Sequence, residues 1–138
     1  MVLIFGGAYQ GKLDYALEKY NLNENDVYRC KADNIDMPQN KIIYEIDKWV
    51  LALIKTGCNG ELLREKLIHF VGAVCDRPRA NTVRPYEIII CNDISCGIVP
   101  VDPDLRMWRE TVGRLLADLS KISDGVVRLF CGIPTIIK

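Results

Sequence analysis

The strongest constraint on this chain lies in its first twenty residues. A short apolar run, Val2-Leu3-Ile4-Phe5, passes directly into Gly6-Gly7-Ala8-Tyr9-Gln10-Gly11-Lys12, after which Leu13, Ala16, Leu17 and Tyr20 recur at helical spacing. An apolar run without alternation is the pattern of a strand covered on both faces. Glycines between such a strand and a helix make a particular chemistry available. In the pattern G-x-x-x-x-G-K-[S/T], small residues let backbone N–H groups close around phosphate oxygens. The lysine reaches the β and γ phosphates, and the following hydroxyl holds magnesium. Gly6, Gly11 and Lys12 fit the spacing, and the helix start adds its positive end. The last position departs from the pattern, because Leu13 has no donor atom for a metal. The expected ligand is a nucleotide, ATP or GTP, held by residues Gly6, Gly7, Ala8, Tyr9, Gln10, Gly11, Lys12 and Leu13. Mg2+ binding is expected to be weakened by Leu13.

The rest of the chain continues the alternation of strands and helices. Short strands are expected at Val27 to Cys30 and Lys41 to Glu45, and Ile88-Ile89-Ile90 centres the clearest strand, Glu87 to Cys91. Val126 to Cys131 forms the last long strand, and Thr135 to Ile137 a short terminal one. Trp49, Val50, Leu53 and Ile54 make one helix face that stops near Gly57. Leu62, Leu63, Leu67, Ile68 and Val71 make another, with Glu61 in its first turn. Asp102-Pro103 is a helix start, a capping acid followed by proline at the first helical position. That helix carries Leu105, Trp108, Val112, Leu115, Leu116 and Leu119. The expectation is one α/β domain over residues 1–138, P-loop NTPase-like, with a mostly parallel central sheet and helices on both faces.

Composition narrows the partners. Eighteen basic residues balance eighteen acidic ones, so no basic face points to nucleic acid. No apolar run approaches the roughly 20 residues of a spanning helix, and the first residues lack the basic flank of a signal peptide. The six cysteines form no C-x-x-C pair and share the chain with one histidine. They are read as reduced thiols in a cytoplasmic protein, with Cys91 and Cys131 in apolar strand runs.

Two acids stand at strand ends where such a loop would place metal and water: Asp93 after the strand ending at Asn92, and Glu45 after the strand from Lys41. Lys12 and Asp93 are the candidate catalytic residues, and Asp93 and Glu45 the candidate metal ligands. Asp47 reads as a cap of a helix beginning near Lys48. Arg77, Arg79 and Arg84 form a candidate anion clamp. His69, between Ile68 and Phe70, reads as a packed structural histidine.

Leu3 to Lys12, together with Asn92-Asp93-Ile94-Ser95-Cys96-Gly97-Ile98-Val99-Pro100, resembles the adenosylcobinamide kinase / adenosylcobinamide-phosphate guanylyltransferase family, whose corresponding segment reads Asn-Glu-Val-Gly-x-Gly-Ile-Val-Pro. Residues 2 to 17 and 88 to 138 carry the resemblance. It implies a homo-oligomer, a trimer in that family, and a role in cobalamin assembly. It also implies that Gly6, Gly7, Gly11 and Lys12 cradle the triphosphate and that Asp93 replaces the family's glutamate. The family's guanylyl-accepting histidine belongs between the second and third strands. Here that interval, 31 to 40, holds no histidine. Two functions follow: a nucleotide-dependent kinase of cobinamide without the guanylyl step, or a catalytically impaired nucleotide- or corrinoid-binding paralogue with a regulatory or assembly role. An unrelated kinase with another small acceptor is a third.

Overall fold

The computed structural model describes residues 1–36, 40–58, 62, 63, 65, 67 and 87–138. Its strands are β1 (Val2–Gly6), β2 (Val27–Arg29), β3 (Ile42–Tyr44), β4 (Ile88–Asn92), β5 (Gly125–Phe130) and β6 (Ile133–Ile136). Its helices are α1 (Lys12–Tyr20), α2 (Ile46–Lys55) and α3 (Pro103–Ile122). Leu62, Leu63, Glu65 and Leu67 are also helical. The sheet order is β2-β3-β4-β1-β5-β6, parallel except where β6 runs antiparallel to β5. Among the described residues, no helix is long and apolar enough to cross a membrane.

The central strands are buried on both sides, and their sequences show why. Ile88, Ile89 and Ile90 are at most 1% exposed, and each such side chain removed from water stabilises the fold by about 1.5–3 kcal/mol. Alternation along the strands sorts the core into two layers. On one face Ile4, Ile42, Ile88, Ile90, Val127 and Leu129 pack with Leu13 and Ala16 of α1. On the other, Leu3, Ile43, Ile89, Cys91 and Val126 pack with α2, α3, Leu63 and Leu67.

Topology explains that division. The connection from β1 to β2 runs toward one edge of the sheet, and that from β4 to β5 runs the opposite way. Right-handed crossovers made in opposite directions deliver their helices to opposite faces. The chain therefore leaves β1 toward one face and the neighbouring β4 toward the other. The carboxyl ends of strands whose connections diverge in this way are the place where open α/β sheets bind ligands.

Local signals set the helix ends. Asp102 Oδ1 accepts hydrogen bonds from the backbone N–H of Asp104 (2.8 Å) and Leu105 (3.0 Å), with Pro103 at the first helical position. Helix α2 begins at Ile46, two residues earlier than the Lys48 start expected. Glu45 holds its N-cap position in a left-handed conformation (φ 60°), so Asp47 is not a cap. The last long strand ends at Phe130. Cys131 follows it at φ 50° and is exposed, not buried in a strand. Five described cysteines, Cys30, Cys58, Cys91, Cys96 and Cys131, are free thiols.

Candidate functional site

The loop from Gly6 to Lys12 is shaped by close backbone approach. Gly6 pairs with Asn92 of β4 and Leu129 of β5. A Cβ placed on Gly6 would lie 2.3 Å from the Leu129 carbonyl oxygen, so β5 forms a wall that admits only glycine. Gly11, at φ 72°, turns the chain into α1, and no side chain caps the helix. Tyr9 also adopts positive φ (59°) and is fully exposed. Across the loop, Gln10 Oε1 accepts a hydrogen bond from the Cys131 backbone N–H.

Lys12 is the unusual member. It is 3% exposed, and its ammonium donates a 2.6 Å hydrogen bond to the Gly7 carbonyl, its one hydrogen bond among the described residues. Burial lowers its pKa below the ordinary lysine value, while Asp47, Cys91 and Glu45 pull it back up. A desolvated cation with unused donors beside a helix start is a strong attractor for an anion.

The two strand-end acids directly follow β4 and β3. Asp93 donates its backbone N–H to the Gly6 carbonyl (2.9 Å), which stitches the end of β4 to the start of the loop. Its carboxylate accepts hydrogen bonds from Ser95 Oγ (2.6 Å) and Cys96 Sγ (3.4 Å). Glu45 accepts from Lys48 Nζ (2.5 Å) and from Asn92 Nδ2 (3.4 Å). Leu13 is 8% exposed and packs among Ile4, Ala16 and Ile90. Its side chain serves the core on the α1 face. Leu13 offers no ligand for magnesium, the Asp93 carboxylate is engaged by Ser95 and Cys96, and that of Glu45 by Lys48 and Asn92. Among the described residues, no group of three or more His, Cys, Asp or Glu side chains is clustered to hold a metal ion.

One residue beneath the site has a role other than the cap that the sequence suggested. Asp47 is 2% exposed and accepts hydrogen bonds from both the backbone N–H (3.0 Å) and side-chain Nδ2 (3.1 Å) of Asn92. Its own carbonyl accepts from Trp108 Nε1 at 2.6 Å, so it ties α2, β4 and α3 together beneath the site. Burial raises its pKa, against which the two bonds from Asn92 act. A signal was present: Asp47, Val50 and Ile54 lie at i, i+3, i+7, which puts an acid on the apolar stripe of the helix.

The segment after β4 is held from α3. Arg109 donates to the Ser95 carbonyl through Nε (3.0 Å) and Nη2 (2.6 Å), and to the Gly97 carbonyl (2.9 Å). Arg106 donates to the Pro100 carbonyl (3.3 Å) and to the Val101 carbonyl. Ile98 and Val101, thus braced, project almost fully into solvent. His69, Glu61, Arg77, Arg79 and Arg84 lie outside the described residues.

The fold defines the class of protein: an α/β domain whose chemistry-bearing loops gather at the carboxyl ends of a mostly parallel sheet. No protein-family model matches the chain, and no curated protein matches it with significant sequence similarity.

Proposed function

We propose that the chain binds the phosphates of a nucleoside di- or triphosphate, ATP or GTP, in the crevice between the Gly6–Lys12 loop and Asp93, with little dependence on magnesium. The observation that carries this reading is the buried Lys12 ammonium, satisfied by one carbonyl and set where an uncapped helix start meets a glycine-bounded turn. A phosphate entering the crevice takes over Lys12 from the Gly7 carbonyl and receives the backbone N–H groups of the first turn. Each charge-assisted contact of this kind contributes about 1.5–3 kcal/mol.

In the enzymatic form of this reading, Lys12 stabilises charge on a phosphoryl group passing to a small hydroxyl acceptor, and Asp93 takes the acceptor's proton. Cobinamide as that acceptor rests on the resemblance of residues 92–100. The binding-only form is favoured by Leu13, which packs in the core, and by the engagement of the Asp93 carboxylate with Ser95 and Cys96. Calorimetric titration with ATP and GTP, in magnesium and in chelator, tests the site. Affinity in the micromolar range that changes less than tenfold with chelator is expected; absence of binding in both conditions refutes the reading. Cobinamide-dependent formation of nucleoside diphosphate and phosphorylated cobinamide separates the two forms.

A further inference from the structure

We infer that the hollow which Tyr9 to Asp14 share with Glu24, Arg29 and Tyr44 carries, at Arg29, a second anion-binding position that takes a small molecule bearing a phosphate or carboxylate group. The reading above enters only in making this ligand the neighbour of a nucleotide.

Sheet register builds the floor. Val27 pairs with Ile42 and Arg29 with Tyr44, while Ile42 and Tyr44 pair with Ile88 and Ile90. Ile42, Ile88 and Ile90 lie in the core under α1. Because alternate side chains share a face, Arg29 and Tyr44 rise on that same side, at the carboxyl end of the sheet. The Arg29 guanidinium carbon stands 5.2 Å from the Tyr44 ring centre, within cation–π range. The hollow above measures about 390 Å3, with Lys12, Gln10, Arg29 and Tyr44 among its walls. That is several times the space of a lone phosphate and within the ordinary range of small-molecule sites.

A carboxylate of the chain itself already meets the Arg29 guanidinium. Glu24 Oε2 accepts from Arg29 Nη2 at 2.8 Å. Glu24 is presented by a single 3-10 turn, Glu24–Asp26, closed by reciprocal bonds between Asn23 and Asp26. Both partners are more than half exposed, and an ion pair of that kind adds little to stability. It does hold the guanidinium fork in the plane that recognises a carboxylate or phosphate edge-on. Lys12 and Arg29 balance Asp14 and Glu24 around the hollow. When Glu24 swings into solvent, the balance tips positive and the fork is free for the anion of a ligand whose body lies on Tyr44.

Orthophosphate titrated by calorimetry into the full chain carrying Lys12→Met, which silences the loop, tests the assignment, and the variants below are made in that background. Saturable binding is expected, weakened at least tenfold in Arg29→Ala and partly kept in Arg29→Lys, because the charge survives without the fork. Glu24→Gln removes the competing carboxylate and tightens binding severalfold. Displacement of phosphate by acetate assigns the natural group to a carboxylate, and its failure to a phosphoryl group. The inference is overturned if Arg29→Ala binds phosphate within twofold of its Lys12→Met parent. It is equally overturned if Lys12→Met itself abolishes the phosphate binding of the native chain, which places the anion in the loop. ADP titrated into chains with Lys12 intact keeps the two readings apart: Arg29→Ala alone binds ADP as the native chain does. A native chain that binds no ADP but still binds phosphate through Arg29 refutes only the nucleotide reading.

Discussion

The segment after β1 and the segment after β4 leave adjacent strands at the same end of the sheet, and Asp93 N–H joins them through the Gly6 carbonyl. Their construction differs. The first is confined by backbone: Leu129 forbids a side chain at Gly6, and Gly11 supplies a left-handed turn. The second is confined by side chains sent from a distant helix, Arg106 and Arg109, gripping four carbonyls between Ser95 and Val101. A backbone-confined loop tolerates no change at the confining residue and leaves its polar groups for a ligand. A side-chain-braced loop spends its carbonyls on the brace and turns its apolar residues outward.

Substitutions can break this contrast, and the largest effect belongs to the first loop. Gly6→Ala forces a methyl against the Leu129 carbonyl, so β1 and β5 must separate. A loss of roughly 3 kcal/mol or more is expected, measured by denaturant unfolding. Leu13→Ser follows: truncating a leucine packed against Ile4 and Ile90 costs about 2–4 kcal/mol, in the same assay. A loss below about 0.5 kcal/mol would show that Leu13 is no part of the core, since that is the scale of ordinary surface substitutions.

Lys12→Met sharpens the comparison by separating ligand affinity from stability. Nucleotide affinity falls about tenfold or more, while stability holds or rises because a buried cation is replaced by a side chain of similar length. The sign of the pH dependence follows. Burial disfavours the protonated amine, so native stability rises as pH climbs from the lowered folded value toward the unfolded value of 10.5. In Lys12→Met that rise, followed by unfolding midpoints across the alkaline range, is flattened. The smallest effect is Arg109→Ala, which releases Ser95 and Gly97 at a cost of about 1–2 kcal/mol. Amide exchange confined to residues 95–101 should quicken, while the Gly6–Lys12 loop keeps its protection.

The same contrast governs how much could be read in advance. The first loop's spacing, the strand before it and the helix after it are local, as is the Asp102-Pro103 helix start, and all were legible. The second loop's brace was not, because Arg109 reads as one more polar residue on a helix until the fold brings it against Ser95. Asp47 was misread for a related reason. A lone acid in a first helical turn suggests a cap, and only pairing with Asn92, 45 positions away, gives it a buried role. Arg29 drew no notice in a three-residue strand, since its meaning comes from the Tyr44 beside it in the neighbouring strand.

The wall behind Gly6 also has a consequence in time. Strand β1 sits between β4 and β5, and the loop's side-chain tie runs from Gln10 to Cys131, separated by 121 positions. Contacts that distant form late, because the intervening chain must be ordered before they stabilise anything. The glycines of the loop therefore stand ready in the chain before the loop has a shape. That shape waits for residues 125–131, which supply both the wall behind Gly6 and the bond to Gln10.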